Sequence, residues 1–177
     1  MEDTNALVKN ITITGPESSG KSTLAAALAS ALPAVLVPEY SRTYLERLDR
    51  PYAKEDITAI SRGQLSLEIE KKEQAQEYLI CDTGQLVLKI WMEYKYGYVS
   101  PEIEYAFIHH PVDLYILCQA DIPWEPDPMR ENPHDRHVLF ELYQKALIEY
   151  EKSFVVIDGA DWDLRLSKAI AAIQKIT

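Results

Sequence analysis

The sequence predicts an α/β fold in which a five-stranded parallel sheet is covered by helices on both faces. Short apolar runs of strand length alternate with longer amphipathic runs along the whole chain. Strands that are buried on both faces and separated by helices are typical of doubly covered parallel sheets. The composition, with 47% hydrophobic and 26% charged residues, is that of a globular protein. Because no repeat or linker interrupts the pattern, we expect residues 1–177 to form a single domain.

The individual elements follow from the apolar periodicity. Short apolar runs predict five strands, at residues 11–14, 35–37, 79–81, 114–118 and 154–157. Runs with helical spacing predict seven helices, at residues 21–31, 40–49, 55–76, 85–96, 101–109, 135–151 and 163–175. Cys81 and Cys118 fall inside predicted strands, so we interpret both as buried thiols of a protein in a reducing compartment.

Charge and hydropathy argue against several classes of partner. A formal net charge of −10 disfavours nucleic acid and anionic membranes, because phosphate groups repel such a surface. No apolar run is long enough to span a bilayer, and the stretch MEDTNALVKN has no signal-peptide core. We therefore expect a cytoplasmic protein without nucleic-acid or membrane partners; a homo-oligomer is compatible with the sequence. His134 and His137 have metal-ligand spacing, but we interpret them as surface residues rather than a zinc site.

The first predicted strand is followed by GPESSGKST, which satisfies the phosphate-binding pattern G-x-x-x-x-G-K-[ST] between a strand and a helix. Gly15 and Gly20 let the backbone turn so that its N–H groups approach a polyphosphate. Lys21 is expected to reach the β- and γ-phosphates of ATP, and Ser22 to bind Mg²⁺. The residues predicted to bind the nucleotide are Gly15, Pro16, Glu17, Ser18, Ser19, Gly20, Lys21, Ser22 and Thr23.

A second candidate magnesium ligand, Asp82, ends the third predicted strand, YLICDTG. The carboxyl ends of strands in such sheets face the nucleotide, so Asp82 is predicted to share Mg²⁺ with Ser22. The alternative is that Asp82 caps the helix that begins near Gln85, and both roles are compatible. Asp82 is followed by Thr83 and Gly84 rather than by glutamate, and no N/T-K-x-D motif occurs, which favours phosphoryl transfer over hydrolysis.

The stretch AVLVPEYSR carries Glu39, Tyr40 and Arg42 just beyond the second predicted strand. This edge of the sheet borders the γ-phosphate, so Glu39 is a candidate general base for an acceptor hydroxyl, a role that contributes about 10²–10⁴-fold to rate. The spacing is equally compatible with a solvated acid in the first turn of a helix.

Residues 121–137, DIPWEPDPMRENPHDRH, form a proline-rich excursion between two apolar segments. We predict a mobile lid whose Arg130 and Arg136 close over the phosphates and balance the charge of the transferred group. Prolines would stiffen the arms of this lid. The alternative is an acidic surface loop in which the arginines pair with the carboxylates of Glu125, Asp127, Glu131 and Asp135.

Taken together, these motifs resemble those of the NadR-like ribosylnicotinamide kinases, a P-loop kinase family. The resemblance runs from about residue 11 to residue 170 and rests on GPESSGKST, P-E-Y-x-R, the helix through RGQL, D-T and W-x-x-D-x-x-R in that order. It implies a three-layer P-loop NTPase fold with an Arg-bearing lid. It also implies transfer of the γ-phosphate of ATP, with Mg²⁺, to the 5′-hydroxyl of nicotinamide riboside in NAD biosynthesis.

The resemblance also assigns residues to a nucleoside-like acceptor. On the acceptor side it implies Glu39, Tyr40, Arg42, Trp124 and Asp127. Because the nicotinamide ring carries a positive charge, an aromatic ring such as that of Tyr40, Trp124 or Trp91 could stack on it. The family has D-T-D at the third strand where this chain has D-T-G, which leaves the acceptor open.

Two other functions stay open at this point. One is a nucleotide-binding sensor or regulatory ATPase that does little chemistry, for which Glu39 would be dispensable. The other is a nucleoside monophosphate kinase, which would need arginines for the acceptor phosphate, and Arg42 and Arg62 are available for that role.

Overall fold

A computed structural model describes residues 7–176 of the chain. Within this range the chain forms the predicted α/β architecture, a three-layer P-loop NTPase fold with a five-stranded parallel sheet. Residues 1–6, which hold most of the stretch without a signal-peptide core, lie outside the described residues. None of the helices between residues 7 and 176 has the length and apolar character that a bilayer span requires.

The sheet places the end of its first strand at the centre of the molecule. Its strands are β1 (Lys9–Thr14), β2 (Ala34–Val37), β3 (Tyr78–Asp82), β4 (Leu114–Cys118) and β5 (Phe154–Ile157), all paired in parallel in the order β2-β3-β1-β4-β5. The chain therefore places β2 and β3 on one side of β1 and β4 and β5 on the other, and ligands of open α/β sheets bind at such a switch point. Ile13 is in register with Asp82, so the carboxyl ends of β1 and β3 are level.

All seven predicted helices occur within the described residues. They are α1 (Lys21–Ala31), α2 (Tyr40–Glu46), α3 (Lys54–Lys72), α4 (Gln85–Tyr96), α5 (Pro101–His109), α6 (Arg136–Glu149) and α7 (Trp162–Ile173). The ends predicted for α2 and α3, at residues 49 and 76, lie beyond the residues at which these helices end in the structure. In both helices the chain tightens into i→i+3 turns, which the apolar pattern does not distinguish from α-helix.

Two apolar layers hold the sheet between its helices. One face packs against α1 and α7, and the other against α4, α5 and α6, while α3 covers β2 and β3 on that second face. The strand β1 alternates between the two layers: Ile11 and Ile13 enter the core under α1 and α7. The other side of β1 carries Asn10, Thr12 and Thr14, which are also buried, so the second layer contains polar side chains next to β1.

The start of α3 is organised by one buried carboxylate. Asp56 accepts hydrogen bonds from the backbone N–H of Ala53 at 2.7 Å and from the hydroxyl of Tyr44 at 2.9 Å. It also forms a bidentate ion pair with Arg50, at 2.7 and 2.9 Å. The hydrogen bonds from Arg50 hold the pKa of the Asp56 carboxyl well below its usual range. This carboxylate therefore joins the end of α2, the following turn and the first turn of α3.

We expect Asp56→Asn to lower the free energy of unfolding by about 1–3 kcal/mol at neutral pH, because a neutral amide cannot replace the carboxylate as acceptor for all of these donors. The folded-state pKa lies below the unfolded value of about 3.9, so this contribution is present above that pH and is lost as pH falls through the folded pKa. Urea unfolding of both proteins should show a difference that shrinks below about pH 4. A difference independent of pH would contradict this account, and Asp49→Asn, at an exposed acid of the same segment, serves as control.

Candidate active site

The loop between β1 and α1 has the shape that its glycines predict. Gly15 has φ +133°, and a Cβ there would lie 2.6 Å from the carbonyl oxygen of Cys118. Gly20 has φ +84°, and a Cβ there would lie 2.5 Å from the ring of Trp162. Both positions therefore require glycine, for backbone conformation and for close packing. The loop curls tightly above the end of β1.

The carbonyl groups of this loop are bonded to side chains around it. The carbonyl of Pro16 accepts hydrogen bonds from the hydroxyl of Ser19 and from Nζ of Lys21, both at 2.7 Å. Gly20 is the N-cap of α1 and has no side chain to accept from the N–H groups of the first turn. These N–H groups are thus available to an anion at the positive end of the helix.

Arg165 on α7 ties the loop to the segments that follow β4 and β5, and nothing in the sequence analysis predicted it. Its guanidinium is fully buried and donates to the carbonyls of Ser19 at 2.7 Å and Gly159 at 2.8 Å. It also forms an ion pair with Asp121 at 3.0 Å. The spacing in the sequence contains a signal for this, because Arg165, Ala169 and Ile173 are four positions apart and share one face of α7. All three are buried, so the arginine lies on the core-facing side of the helix.

Asp82 lies buried at the carboxyl end of β3, where the sequence predicted a magnesium ligand. Its Oδ1 has no hydrogen-bond partner among the described residues. Burial raises the pKa of the Asp82 carboxyl, and a hydrogen bond from Ser22 opposes that rise. The alternative capping role is not what the structure has, since Gly84 is the N-cap of α4 and no side chain caps that helix.

The donor set at Asp82 fits Mg²⁺. The ion prefers one or two protein oxygens combined with water and phosphate oxygens, and Asp82 and Ser22 provide a carboxylate and a hydroxyl. Between residues 7 and 176, no group of three or more His, Cys, Asp or Glu side chains could hold a metal ion by itself. A close contact explains why the third residue of D-T-G is glycine. A Cβ at Gly84 would lie 2.9 Å from Cγ2 of Thr12 on β1.

The segment predicted as a lid runs from β4 to α6 without regular structure and lies against the phosphate loop. The carboxylate of Glu17 accepts hydrogen bonds from the backbone N–H groups of Glu131 at 3.0 Å and Asn132 at 2.9 Å. The hydroxyl of Ser18 accepts one from the N–H of Glu125 at 3.0 Å. The segment is therefore held against the phosphate loop, while its role as a mobile lid stays a prediction.

Both arginines of the segment bond to oxygen atoms of the loop and of the segment itself. Arg130 donates to the carbonyl of Glu125 and, at 3.4 Å, to the hydroxyl of Ser18. Arg136 donates to the carbonyls of Ser18 and Ile122, both at 3.0 Å. The ring of Trp124 lies against both guanidinium groups, with its centroid 6.0 Å from Arg130 and 5.6 Å from Arg136.

The acids of the segment bond to other partners. Asp127 pairs with Arg42 at 3.2 Å, Glu131 with Lys95 at 2.9 Å, and Asp135 accepts from the hydroxyl of Tyr94 at 2.8 Å. In the part of the chain that the structure describes, neither Arg130 nor Arg136 forms an ion pair with a carboxylate. The alternative of a surface loop with internal arginine–carboxylate pairs is therefore not the arrangement found.

A cavity of about 460 Å³ opens between the phosphate loop, α2, α4 and the lid segment. The predicted residues that line it are the nine of the phosphate loop together with Glu39, Trp91 and Arg130. Glu39 is the N-cap of α2, and its carboxylate accepts a hydrogen bond from Ser41 at 2.5 Å. The loop and the candidate base thus face one shared space.

Other predicted residues stand behind the cavity wall. The ring of Tyr40 covers Gly63 on α3, where a Cβ would lie 2.0 Å from it. Arg42 is turned to the lid, and Arg62 forms a bidentate pair with Glu102 on α5, with both distances 2.6 Å. The predicted residues outside the lining are Tyr40, Arg42, Asp82, Trp124, Asp127 and Arg136.

An aromatic and charged cluster forms another part of the cavity wall, which we call the aromatic wall. Trp91 and Lys95 of α4 line the cavity, and Trp91 lies edge-on to the ring of Tyr52 at 5.0 Å. The hydroxyl of Tyr52 accepts from Nε1 of Trp91 at 3.0 Å and from Lys95, and donates to Glu131 at 2.8 Å. Sequence reasoning named only Trp91, because Tyr52 and Lys95 lie far apart in the chain.

Comparison with known proteins agrees with this fold. The family described as an AAA domain matches residues 10–165. The Trifunctional NAD biosynthesis/regulator protein NadR of Salmonella typhimurium (strain LT2) is 26% identical to this chain over an alignment of 177 positions. That alignment covers 96% of this chain and 43% of that protein. The chain thus spans less than half of the length of this relative.

Solved structures share the architecture. A crystal structure of NadR in complex with NR has a TM-score of 0.82 at 22% identity and covers 96% of this chain and 51% of that one. A crystal structure of thymidylate kinase from Ehrlichia chaffeensis has a TM-score of 0.69 at 16% identity and covers 94% of this chain and 99% of that one.

We expect Arg165→Met to lower the free energy of unfolding by about 1–3 kcal/mol, because it leaves the buried carbonyl of Ser19 without its donor and removes the ion pair with Asp121. Binding of ATP should also weaken, since the loop loses its bond at Ser19. Lys168→Met removes an exposed pair with Asp158 from the same helix and should change little. Chemical denaturation and calorimetric titration of both variants measure the two effects, and equal behaviour of the variants would contradict the role of Arg165.

Proposed function

The chain belongs to the AAA domain family, and from that premise we propose that it is an ATP-dependent kinase that phosphorylates the 5′-hydroxyl of nicotinamide riboside. One observation carries the proposal: a single cavity is lined both by the phosphate loop and by Glu39. A donor phosphate and an acceptor hydroxyl could therefore meet without leaving the protein. We also propose that residues 121–137 act as its lid.

On the nucleotide side, residues 15–23 would hold the phosphates of ATP. The N–H groups at the start of α1 provide donors, and Lys21 would exchange the carbonyl of Pro16 for phosphate oxygens. Asp82 and Ser22 would hold Mg²⁺, which when bound neutralises charge on the β- and γ-phosphates. The unpartnered Oδ1 of Asp82 supports this assignment.

On the acceptor side, Glu39 would remove the proton from the attacking hydroxyl. The acceptor oxygen then forms a bond to the γ-phosphorus while the bond from that phosphorus to the β,γ-bridging oxygen breaks, and ADP leaves. The hydrogen bond from Ser41 fixes one oxygen of Glu39 and leaves the other for the proton. Arg130, which lines the cavity, would stabilise charge on the transferred group, and Arg136 would hold the lid on the loop.

The lining of the cavity supports a nucleoside acceptor over a nucleoside monophosphate. Arg42 and Arg62, the two arginines available for an acceptor phosphate, pair instead with Asp127 and Glu102 outside the lining. The aromatic wall at Trp91 and the nearby acids suit a cationic base, for which stacking contributes about 0.5–2 kcal/mol. The similarity to NadR, which a crystal structure shows in complex with NR, points to the same acceptor.

We expect ADP formation from ATP and Mg²⁺ to depend on nicotinamide riboside, with nicotinamide mononucleotide as the product. A coupled ADP assay with nicotinamide riboside, cytidine, uridine or nucleoside monophosphates tests this, with Lys21→Ala as the blank. Stimulation by a nucleoside monophosphate alone would replace the proposed acceptor. ATP binding without stimulation by any of them would favour a nucleotide sensor.

We expect Glu39→Gln to lower kcat by about 10²–10⁴-fold while the affinity for ATP stays the same, because the amide cannot accept the proton. Steady-state kinetics and ATP titration separate the two effects. The matched control is Glu46→Gln, at an exposed acid at the other end of α2, which should leave kcat unchanged. An unchanged kcat in Glu39→Gln would remove Glu39 from the mechanism.

A further inference from the structure

The amino end of α2, which carries Glu39, is capped from another helix. No side chain of its own segment caps α2. Instead, the backbone N–H of Tyr40 donates to Oε1 of Gln64 on α3 at 3.0 Å. Gln64 is 2% exposed, so its amide makes this contact inside the protein. A buried side chain 24 positions away thus satisfies the backbone donor directly after Glu39.

The orientation of the Gln64 amide is fixed by a second buried residue. Its Nε2 donates to Oε1 of Glu68 at 3.1 Å, so its oxygen must face Tyr40. Glu68 is also 2% exposed, and its Oε2 lies 2.6 Å from Nε2 of His110 at the end of α5. A buried carboxylate needs such partners, because an unsatisfied one strongly destabilises the fold. In the polar row Tyr40–Gln64–Glu68–His110, Tyr40 therefore donates to Gln64, and Gln64 donates to Glu68.

Gly63, the neighbour of Gln64 in the RGQL motif, also contacts Tyr40, from another side. Gly63 has no side chain, and the ring of Tyr40 fills that space, with its Cε1 2.0 Å from where a Cβ would be. Gly63 thus leaves space for the ring of Tyr40, and Gln64 accepts a hydrogen bond from the N–H of Tyr40. Both contacts fix the residue that follows Glu39, although neither reaches the cavity.

We propose that Gln64, oriented by Glu68, is a positioning residue that holds Glu39 at the distance and angle required for proton removal. The inference rests on the proposed kinase function. It assigns a role to RGQL that neither the phosphate loop nor the lid explains. Because a displacement of about 1 Å at a reacting group can lower a rate about 10²-fold, loss of this cap should reduce kcat.

The test exchanges the two buried residues. Gln64→Glu places two carboxylates side by side without the N–H between them, and we expect kcat to fall about 10- to 100-fold with the KM for ATP unchanged. Glu68→Gln alone keeps an oxygen acceptor for Gln64 and should have a small effect. The double variant Gln64→Glu, Glu68→Gln restores a donor and an acceptor in reversed order, and kcat should recover to within about 3-fold of the wild type.

Two controls keep folding and function separate. Leu67→Ala removes apolar packing from the same helix without touching the polar row, so it should lower stability but not kcat. Gln64→Met, which has similar volume but no hydrogen-bonding groups, should repeat the loss in kcat if Gln64→Glu proves too unstable to assay. A double variant that folds but stays as slow as Gln64→Glu would overturn the positioning role.

A readout independent of catalysis distinguishes this inference from the proposed function. Hydrogen exchange at the amide of Tyr40 should accelerate in Gln64→Met, which removes the acceptor of this N–H, and should keep the wild-type rate in the double variant, which retains an acceptor oxygen. If the wild type shows no acceptor-dependent ADP formation, the proposed function fails while the exchange result still decides whether Gln64 caps α2. If exchange at Tyr40 is the same in all variants, Gln64 does not hold this site and the inference is overturned.

Discussion

The structure depends on how the outward-facing carbonyl groups of the phosphate loop are satisfied. A backbone that turns its N–H groups toward an anion must point carbonyls the other way, and buried carbonyls without donors destabilise a protein. Here Lys21 binds Pro16, Arg136 binds Ser18 and Arg165 binds Ser19. Each cation comes from a different helix, α1, α6 or α7. The curvature of six residues therefore determines how three helices are placed around them.

The lid segment is held in its observed position by hydrogen bonds and ion pairs of the same kind. Glu17 accepts from the backbone of the lid and so occupies its N–H groups, while Arg136 occupies a lid carbonyl and a loop carbonyl together. The acids of the lid reach basic or hydroxyl partners on α2 and α4, among them Arg42 and Lys95. The loop, α2, α4 and the lid segment are thus joined through contacts whose donors and acceptors complement one another.

The sequence allowed the architecture and the nucleotide side to be predicted, but less of the acceptor side. The phosphate loop and Asp82 are local signals, since one follows β1 and the other ends β3, and parallel strands bring their ends together. Arg165, Tyr52 and Gln64 act through partners many positions away, and a single sequence does not show such pairings. Trp124 was assigned to the substrate because of its place in a motif, yet its ring lies against two arginines of its own segment.

The positions of the tryptophans give this protein a built-in optical reporter. The chain has three, and each lies at a different part of the site: Trp162 beside Gly20, Trp91 on the aromatic wall of the cavity and Trp124 against Arg130 and Arg136. Indole emission depends on the polarity and the charges around the ring. Intrinsic fluorescence therefore reports on the loop, the aromatic wall and the lid segment without any attached dye. Replacing two of the three by phenylalanine leaves a signal that belongs to one part of the site alone.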